Sequence, residues 1–491
     1  MTDAELMNQL DALPNSLRYG AKQLQVRVNR NTNIVPIGTD SVNSNGSGVV
    51  RFRMPSASIL NLSTLSISFV STISGLAVGS GSSPTTYRDF RNALIPAAYK
   101  YIRRAQFYLG GVSCAGSLLN NYNQAYHAFV KASTNKPYAY AKVGSGYTEY
   151  SDLYDQFGSL TSPPPGTSKV AFQVLDDFLL LAKGNGASVN PDMMIDTSIW
   201  QDAELELNFD TNAILSVFQE GDASLDPTTQ ANLVSWALTN IRLNIDAISS
   251  IPSIYGAFME ARSQRPEPIR LIFQNLVSQV SQILQTTRVQ LSSTCIDGLM
   301  ICGLLSSQAT PSAFIGNADT TFTINATNNN KFNFVAPITV TNNNDTNAYT
   351  GFNASIQVGT ALYPTTPYNS AYLLADSTYN HFWHNSLMSN SLLYQKEVIV
   401  GDATGVIEVV EQAYAQPTFI TNQFIWVQSF SLEDGWASAN KVLSGIDTSA
   451  TNVDILVQTS MANASYSFLL IGLLSSVLEY DTQARRVRVI Q

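Results

Sequence analysis

The chain holds three histidines: His127, His381 and His384. The last two stand three apart in His381-Phe382-Trp383-His384, a spacing that on a helix can bring two imidazoles to one metal ion. No third ligand cluster lies nearby in sequence, so a half-buried aromatic turn is the expected role and no metal is expected. Acidic pairs occur at Asp176-Asp177 and Glu433-Asp434. Glycoside hydrolysis needs two carboxylates on opposite sides of one cleft. Neighbours on a strand point to opposite faces, so these acids read better as loop or capping residues. Cys114, Cys295 and Cys302 lack C-x-x-C spacing, and buried, unreactive thiols are the default. The glycine-rich stretch from Gly75 to Gly81 runs into Ser82-Ser83-Pro84 and not into a helix, which argues against a phosphate loop. H-E-x-x-H, Walker A, G-x-S-x-G and G-x-G-x-x-G are all missing. Glycosylation sequons at Asn45, Asn61, Asn325, Asn344, Asn353 and Asn463 are what an Asn-, Ser- and Thr-rich chain produces by chance. No catalytic residue and no cofactor is expected, and a structural or binding role is favoured over catalysis.

The rest of the composition bears on what the elements are for. Of 491 residues, 45% are apolar, ample for a core, while only 13% are charged. About 25% is usual for soluble domains. Small polar residues fill the deficit, which suits a surface largely used in contacts. Lys and Arg number 27 against 36 Asp and Glu, a formal charge of −9, which argues against a general nucleic-acid binder. The acidic first residues and the missing apolar stretch predict no signal peptide. An odd cysteine count predicts a reducing compartment. The strongest apolar run, Phe468 to Leu474, is too short for a membrane span and predicts a buried strand.

Strand signals dominate. Val50, Phe52 and Met54 alternate with polar residues, as do Leu65, Ile67 and Phe69, then Leu205, Leu207 and Phe209, then Ile241, Leu243 and Ile245. Period-two alternation puts one face in a core, and the long Gly-, Ser- and Pro-rich loops suggest sandwiches. The expected fold is all-β: two tandem jelly-roll sandwiches with short helices in loops and at the N-terminus. A Pro-bounded linker, 247–268, separates them. The boundaries read as an N-terminal arm over 1–47, a first roll with linker over 48–262, and a second roll over 263–491. Helices are expected only near 4–12, 253–261 and 370–383. In the arm, Leu6, Leu10 and Leu13 have helical spacing and Pro14 ends it. The helix is too short to hold without a partner surface. Arg18, Lys22, Arg27 and Arg30 follow with no acid between them, a positive stretch that seeks an anionic partner.

Several blocks carry a resemblance. Ile356-Gln357-Val358-Gly359 is followed by Tyr363-Pro364, Pro367-Tyr368 and an aromatic stretch from Tyr372 to Phe382. Downstream come an apolar strand in 424–430, Leu432-Glu433, and Ser444-Gly445-Ile446-Asp447-Thr448 before another strand. The chain ends on a strand pair, 467–490. In the first half, Tyr101 to Tyr108 leads into Gly110-Gly111. In order and spacing these blocks resemble the double jelly-roll major capsid proteins of small tailless double-stranded DNA viruses: Polinton-like viruses, adintoviruses and virophages. The resemblance implies a structural subunit without catalysis, forming homotrimeric, pseudo-hexameric capsomers of an icosahedral shell. It implies a location in the virion after synthesis in the host cytoplasm or nucleus. Its partners would be neighbouring capsomers and minor capsid or penton proteins. Arg18, Lys22, Arg27 and Arg30 would then be inner-surface contacts to genome or an internal membrane. A minor capsid or spike protein and a β-sandwich carbohydrate-binding or adhesive protein are the alternatives.

Overall fold

A computed structural model describes residues 28–44, 48–56, 58–74, 98–115, 120–133, 169–176, 179, 194–200, 202–210, 235–248, 268–291, 293–306, 334, 339–343, 346–350, 353–369, 395–401, 407–413, 424–430, 445–449, 454–459, 463–481 and 486–490. The strands of the N-terminal half are β1 (Val28–Ile34), β2 (Val42–Asn43), β3 (Val49–Arg53), β4 (Ile59–Ser74), β5 (Ile102–Leu109), β6 (Val112–Ala115), β7 (Lys169–Asp176), β8 (Met194–Asp196), β9 (Glu204–Phe209) and β10 (Ser235–Ile248). One sheet has the order β1-β10-β4-β7, with β2 on β10 and β8 on β4. The other has the order β3-β9-β5-β6. Setting aside the short β2 and β8, the eight main strands in chain order lie 1-8-3-6 and 2-7-4-5. Strand 1 therefore pairs with 8, 2 with 7, 3 with 6 and 4 with 5, all antiparallel. A single long ribbon wrapped around a core makes these pairings, and that arrangement is a jelly roll.

The C-terminal half repeats it. Its strands are β11 (Ile269–Ile283), β12 (Thr286–Val289), β13 (Ile296–Leu305), β14 (Thr339–Asn343), β15 (Thr346–Thr350), β16 (Asn353–Val358), β17 (Ala361–Asn369), β18 (Gln395–Gly401), β19 (Ile407–Ala413), β20 (Ile425–Ser429), β21 (Ile455–Thr459), β22 (Asn463–Asp481) and β23 (Arg486–Ile490). Its sheets run β11-β22-β13-β20, with β23 on β22, and β12-β21-β16-β17. The hairpins β14–β15 and β18–β19 stand outside them. The eight main strands again lie 1-8-3-6 and 2-7-4-5. The halves share a topology without a residue-level repeat, because a sandwich constrains pattern more than identity.

The alternating positions form the cores. Val50, Phe52, Leu65, Ile67, Phe69, Leu205, Leu207, Ile241, Leu243 and Ile245 are all buried. One apolar cluster takes in residues of both rolls. Turns follow their glycines. Gly110 and Gly111, at φ 57° and 77°, close the β5–β6 hairpin, and two successive positive-φ residues give the twist a two-residue hairpin needs. Gly359 (φ 60°) turns β16 into β17. Pro364 and Pro367 sit in β17, where the register jumps from Ala354↔Tyr368 to Ile356↔Tyr363. β17 is an edge strand, so prolines cost no ladder there.

Two expectations need amending. Helix α1 (Tyr122–Ser133) lies outside the three predicted helices. Its Tyr122, Ala125, Tyr126 and Phe129 have helical spacing and are buried, and Asn121 precedes it as a favourable N-cap. The many polar residues between them masked the pattern. The predicted helices over 4–12, 253–261 and 370–383 fall outside the described residues. Second, Val28–Ile34 and Val42–Asn43, read as part of an arm, are β1 and β2, both paired with β10. Three consecutive Asn- or Arg-bearing steps had hidden the strand pattern behind the positive charge.

Candidate assembly surfaces

Few of the residues singled out for chemistry fall within the described residues. Arg18, Lys22 and Arg27, His381 and His384, and Glu433-Asp434 lie outside the described residues. Arg30 lies in β1. Asp176 ends β7. His127 is buried on α1, hydrogen-bonded through Nδ1 to the Tyr99 hydroxyl and with its ring tilted against that of Phe334. Among the described residues, no three His, Cys, Asp or Glu side chains cluster as a metal site. No described helix is long and apolar enough to cross a membrane. Cys114, Cys295 and Cys302 are buried thiols that form no disulfide. Burial pushes Cys114 up to about 12, against a backbone hydrogen bond at Leu109 that lowers it. Burial also raises Cys302 well above the usual thiol range.

The groups that are brought together are whole sheet faces. In the C-terminal roll, every residue of β22 from Ser467 to Ser476 is buried, both parities alike. β13 is buried throughout Ile296–Leu304. One face of this sheet meets its own partner sheet, and the N-terminal roll covers the other. Helix α1, which leaves β6 and leads on toward β7, packs against β5 of its own roll and against β11 and β20 of the other. β6 touches β23. Trp200 meets Tyr480 edge-on, ring centroids 5.5 Å apart. The seam thus joins the β3-β9-β5-β6 side of one roll to the β11-β22-β13-β20 side of the other.

At the end of that second sheet Glu479 is fully covered between Arg270 on β11 and Arg488 on β23, in direct cross-strand register. Arg270 Nε donates to Oε2 at 2.9 Å and Arg488 Nε to Oε1 at 2.7 Å. Desolvation pushes the carboxyl pKa up. The hydrogen bonds and charges of the two guanidinium groups outweigh it and hold the pKa below the usual value.

The Ser-Gly-Ile-Asp-Thr block ties down the approach to β13. Ile446 bridges Ile296, and the Thr448 hydroxyl donates to the Leu291 carbonyl (3.0 Å) while accepting from the Ser293 amide (3.1 Å). A Cβ on Gly445 would fall on the Ile296 carbonyl, so only glycine fits.

Among the described residues, two outer sheet faces have no second layer over them. On β1-β10-β4-β7, Ser66, Ser68, Arg242, Asn244 and Phe172 line a shallow concavity of about 620 Å³. Asn244 donates to Ser68 Oγ at 3.1 Å, Arg242 pairs with Asp40 at 3.0 Å, and Phe172 is 69% exposed. On β12-β21-β16-β17, Thr286, Gln458 and Gln357 form a hydrogen-bonded row across three strands, each link 2.9 Å. Leu362 and Tyr363 on the edge strand are exposed. Both faces are polar rows with an apolar wing on an edge strand. Sequence reading found the alternation behind these faces but not that they were faces of one kind.

No protein-family profile matches the sequence, and no curated protein matches it. Solved structures similar to the chain include VP54 of PBCV-1 as fitted into a cryo-EM reconstruction of the virophage Sputnik, at 10% identity, covering 96% of this chain and 98% of that one, TM-score 0.48. A quasi-atomic model of the PBCV-1 virus capsid is 11% identical over 94% and 96%, TM-score 0.49. The mavirus major capsid protein is 11% identical over 97% and 94%, TM-score 0.45.

Proposed function

We propose that this chain is a structural subunit of a viral shell, a major capsid protein whose three copies close into a pseudo-hexameric capsomer. The observation that carries this reading is the pair of consecutive jelly rolls with identical strand order, packed side by side. Jelly rolls are a common building block of viral capsids, and two per chain let three chains supply six similar units around one axis. A closed ring of this kind is heterologous: each copy offers two different surfaces. The low charge content fits, since interface cores are depleted of charge and wet with hydrogen bonds. The capsid-like sequence blocks fall on structural positions that need them, Gly359 at a turn and Gly445 against a carbonyl. We take the two rolls as the two domains, the second over 263–491, and extend the first back to Val28. The preceding residues, with Arg18, Lys22 and Arg27, would then face an anionic partner inside the shell, genome or membrane.

Light scattering on the purified chain tests the reading. A three-chain particle, seen as hexagonal plates by negative stain, is the expected result. A single-chain species at every concentration, particularly one that binds glycans, overturns it. Deleting residues 1–27 is expected to leave the three-chain particle intact and impair closed shells at matched salt.

A further inference from the structure

The segment before β1 carries charge of both signs, in two blocks. Residues 1–17 hold Asp3, Glu5 and Asp11 and no Lys, Arg or His, while Arg18, Lys22 and Arg27 follow without an acid. Leu6, Leu10 and Leu13 make one apolar stripe on the helix that the sequence predicts there, and so short a helix holds only against a partner surface. A surface of matching character stands on the last strand. Neighbours alternate along a strand, so β23 presents Arg486, Arg488 and Ile490 on one side and Val487 and Val489 on the other. Arg486 and Arg488 are exposed, and Arg270 on β11 stands beside them at 64% exposure. Arg270 and Arg488 both pair with Glu479, whereas Arg486 has Asp481 opposite it in register but no ion pair among the described residues. Ile490 and Val477, partners in register, are both partly exposed beside this basic row. We propose that residues 4–13 dock as a helix on this corner of their own chain, with Leu6, Leu10 and Leu13 on Ile490 and Val477 and the acids toward Arg486 and its neighbours. The N-terminus then straps the first roll to the last strand of the second. The inference rests on the fold and is independent of the capsid reading.

The reach is sufficient. Val28, Ile248, Ile59 and Asp196 form one row across four strands. The Trp200 amide donates to the Asp196 carbonyl, and the Trp200 ring meets that of Tyr480, which pairs with Val487 of β23. Three strand spacings, one turn and one ring contact put Val28 within about 35 Å of β23. Residues 14–27, extended, span about 46 Å. A leash of that length holds the helix at an effective concentration of about 1 mM, so a contact with a dissociation constant of about 0.1 mM is occupied about nine-tenths of the time. Exposed ion pairs alone contribute little. The leucine stripe supplies the binding, and the opposite charges select the corner and orient the helix on it. Arg18, Lys22 and Arg27 lie outside the docked segment, so the dock leaves them to an anionic partner.

Hydrogen exchange on the full chain tests the dock. Amides of residues 4–13 are expected to exchange about tenfold more slowly than in the free peptide of residues 1–17, the factor that nine-tenths occupancy sets. Arg486→Glu, at an exposed side chain, and Leu10→Asp, on the arm, are each expected to bring exchange to within about twofold of the free peptide. The amides of β13 and β22 are expected to stay protected in both variants, which shows the fold intact. Free exchange across 4–13 in the unaltered chain, or protection that survives Arg486→Glu, overturns the dock. A chain with Leu10→Cys and Ile490→Cys separates its own strand from that of another copy. Oxidised, it is expected to close a disulfide within one chain, seen as a faster band on a non-reducing gel. The three native cysteines are buried and do not compete. A disulfide between chains, or none, overturns the assignment to the same chain. Light scattering is expected to show the three-chain particle whichever way these tests fall, so failure of the dock is distinct from failure of the capsid reading.

Discussion

The sheets β1-β10-β4-β7 and β11-β22-β13-β20 hold the same place in their rolls and the same strand order, yet their longest strands are built differently. In β10, Ile241, Leu243, Ile245 and Ala247 are buried while Arg242, Asn244 and Asp246 are partly exposed. In β22, Phe468, Leu469, Leu470 and Ile471 are buried without a break. Strands covered on both faces read as continuous apolar runs, and strands covered on one face alternate. The difference therefore records position: the second sheet has the first roll behind it, and among the described residues no second layer covers the outer face of the first sheet. An outer face that stays polar yet carries Phe172 at 69% exposure is dressed for a wet contact rather than for permanent burial.

The sharpest way to break this comparison is an alanine scan by parity. Leu469→Ala and Leu470→Ala point to opposite faces of β22, and both are expected to cost about 3 kcal/mol, the usual range for a buried leucine. In β10, Leu243→Ala is expected to cost the same and Asn244→Ala less than about 0.5 kcal/mol in the monomeric state. Urea denaturation reads both pairs. A β22 that tolerates one parity would mean that the seam is not packed.

The parity contrast also explains what was legible in the sequence. Period-two runs such as Leu205-Leu207-Phe209 and the unbroken Phe468–Leu474 run placed strands correctly, because burial on one or two faces writes itself into the pattern. The count of two sandwiches followed from strand signals on both sides of a Pro-bounded stretch. Two things stayed hidden. β1 carries only Val28 and Ile34 as apolar ends around Asn, Arg and Thr, so its pairing with β10 is decided by the sheet and not by its own residues. From Tyr122 to Phe129 helix α1 is buried at every residue, Asn123, Gln124 and His127 included, so polar residues on the enclosed faces blurred the apolar stripe of Tyr122, Ala125, Tyr126 and Phe129. The open faces were invisible for a related reason: Ser, Thr, Asn and Gln on the polar side of a strand look alike whether they face water or a neighbour.

Charge offers a second, smaller test. Glu479 is enclosed at the seam end of one sheet, whereas Asp40 pairs with Arg242 on the open face of the other, with side chains 43% and 24% exposed. Glu479→Gln is expected to cost about 1 kcal/mol, kept small because both arginines remain solvated. Asp40→Asn is expected to cost less than about 0.5 kcal/mol. The Glu479 effect has a pH signature. Its folded-state pKa is lowered from the usual 4.5, so its contribution is fully present above the unfolded-state value. It is lost as pH falls through the folded-state value. The gap between wild type and Glu479→Gln should therefore be constant from pH 6 to 8 and close as pH drops below about 4. A gap that widens on acidification would contradict the pairing.

The smallest effect concerns whether the two rolls unfold as one body. Trp200 and Tyr480 meet across the seam at 5.5 Å, while Tyr101 and Trp236 meet within the first roll at 5.3 Å, both edge-on. Geometry this similar should give similar coupling, about 1 kcal/mol in a double-mutant cycle, provided the seam is as well packed as a core. Trp200→Leu, Tyr480→Leu and the double variant measure one, and Tyr101→Leu, Trp236→Leu and their double the other. Equal couplings with a single melting transition mean that the rolls share one cooperative unit, as their joint apolar cluster requires. Coupling near zero for Trp200 and Tyr480, beside an undiminished value for Tyr101 and Trp236, would mean that the rolls open independently. Two transitions would then appear in the melt, and the covered face of β11-β22-β13-β20 would be held by α1 and the β6–β23 contact.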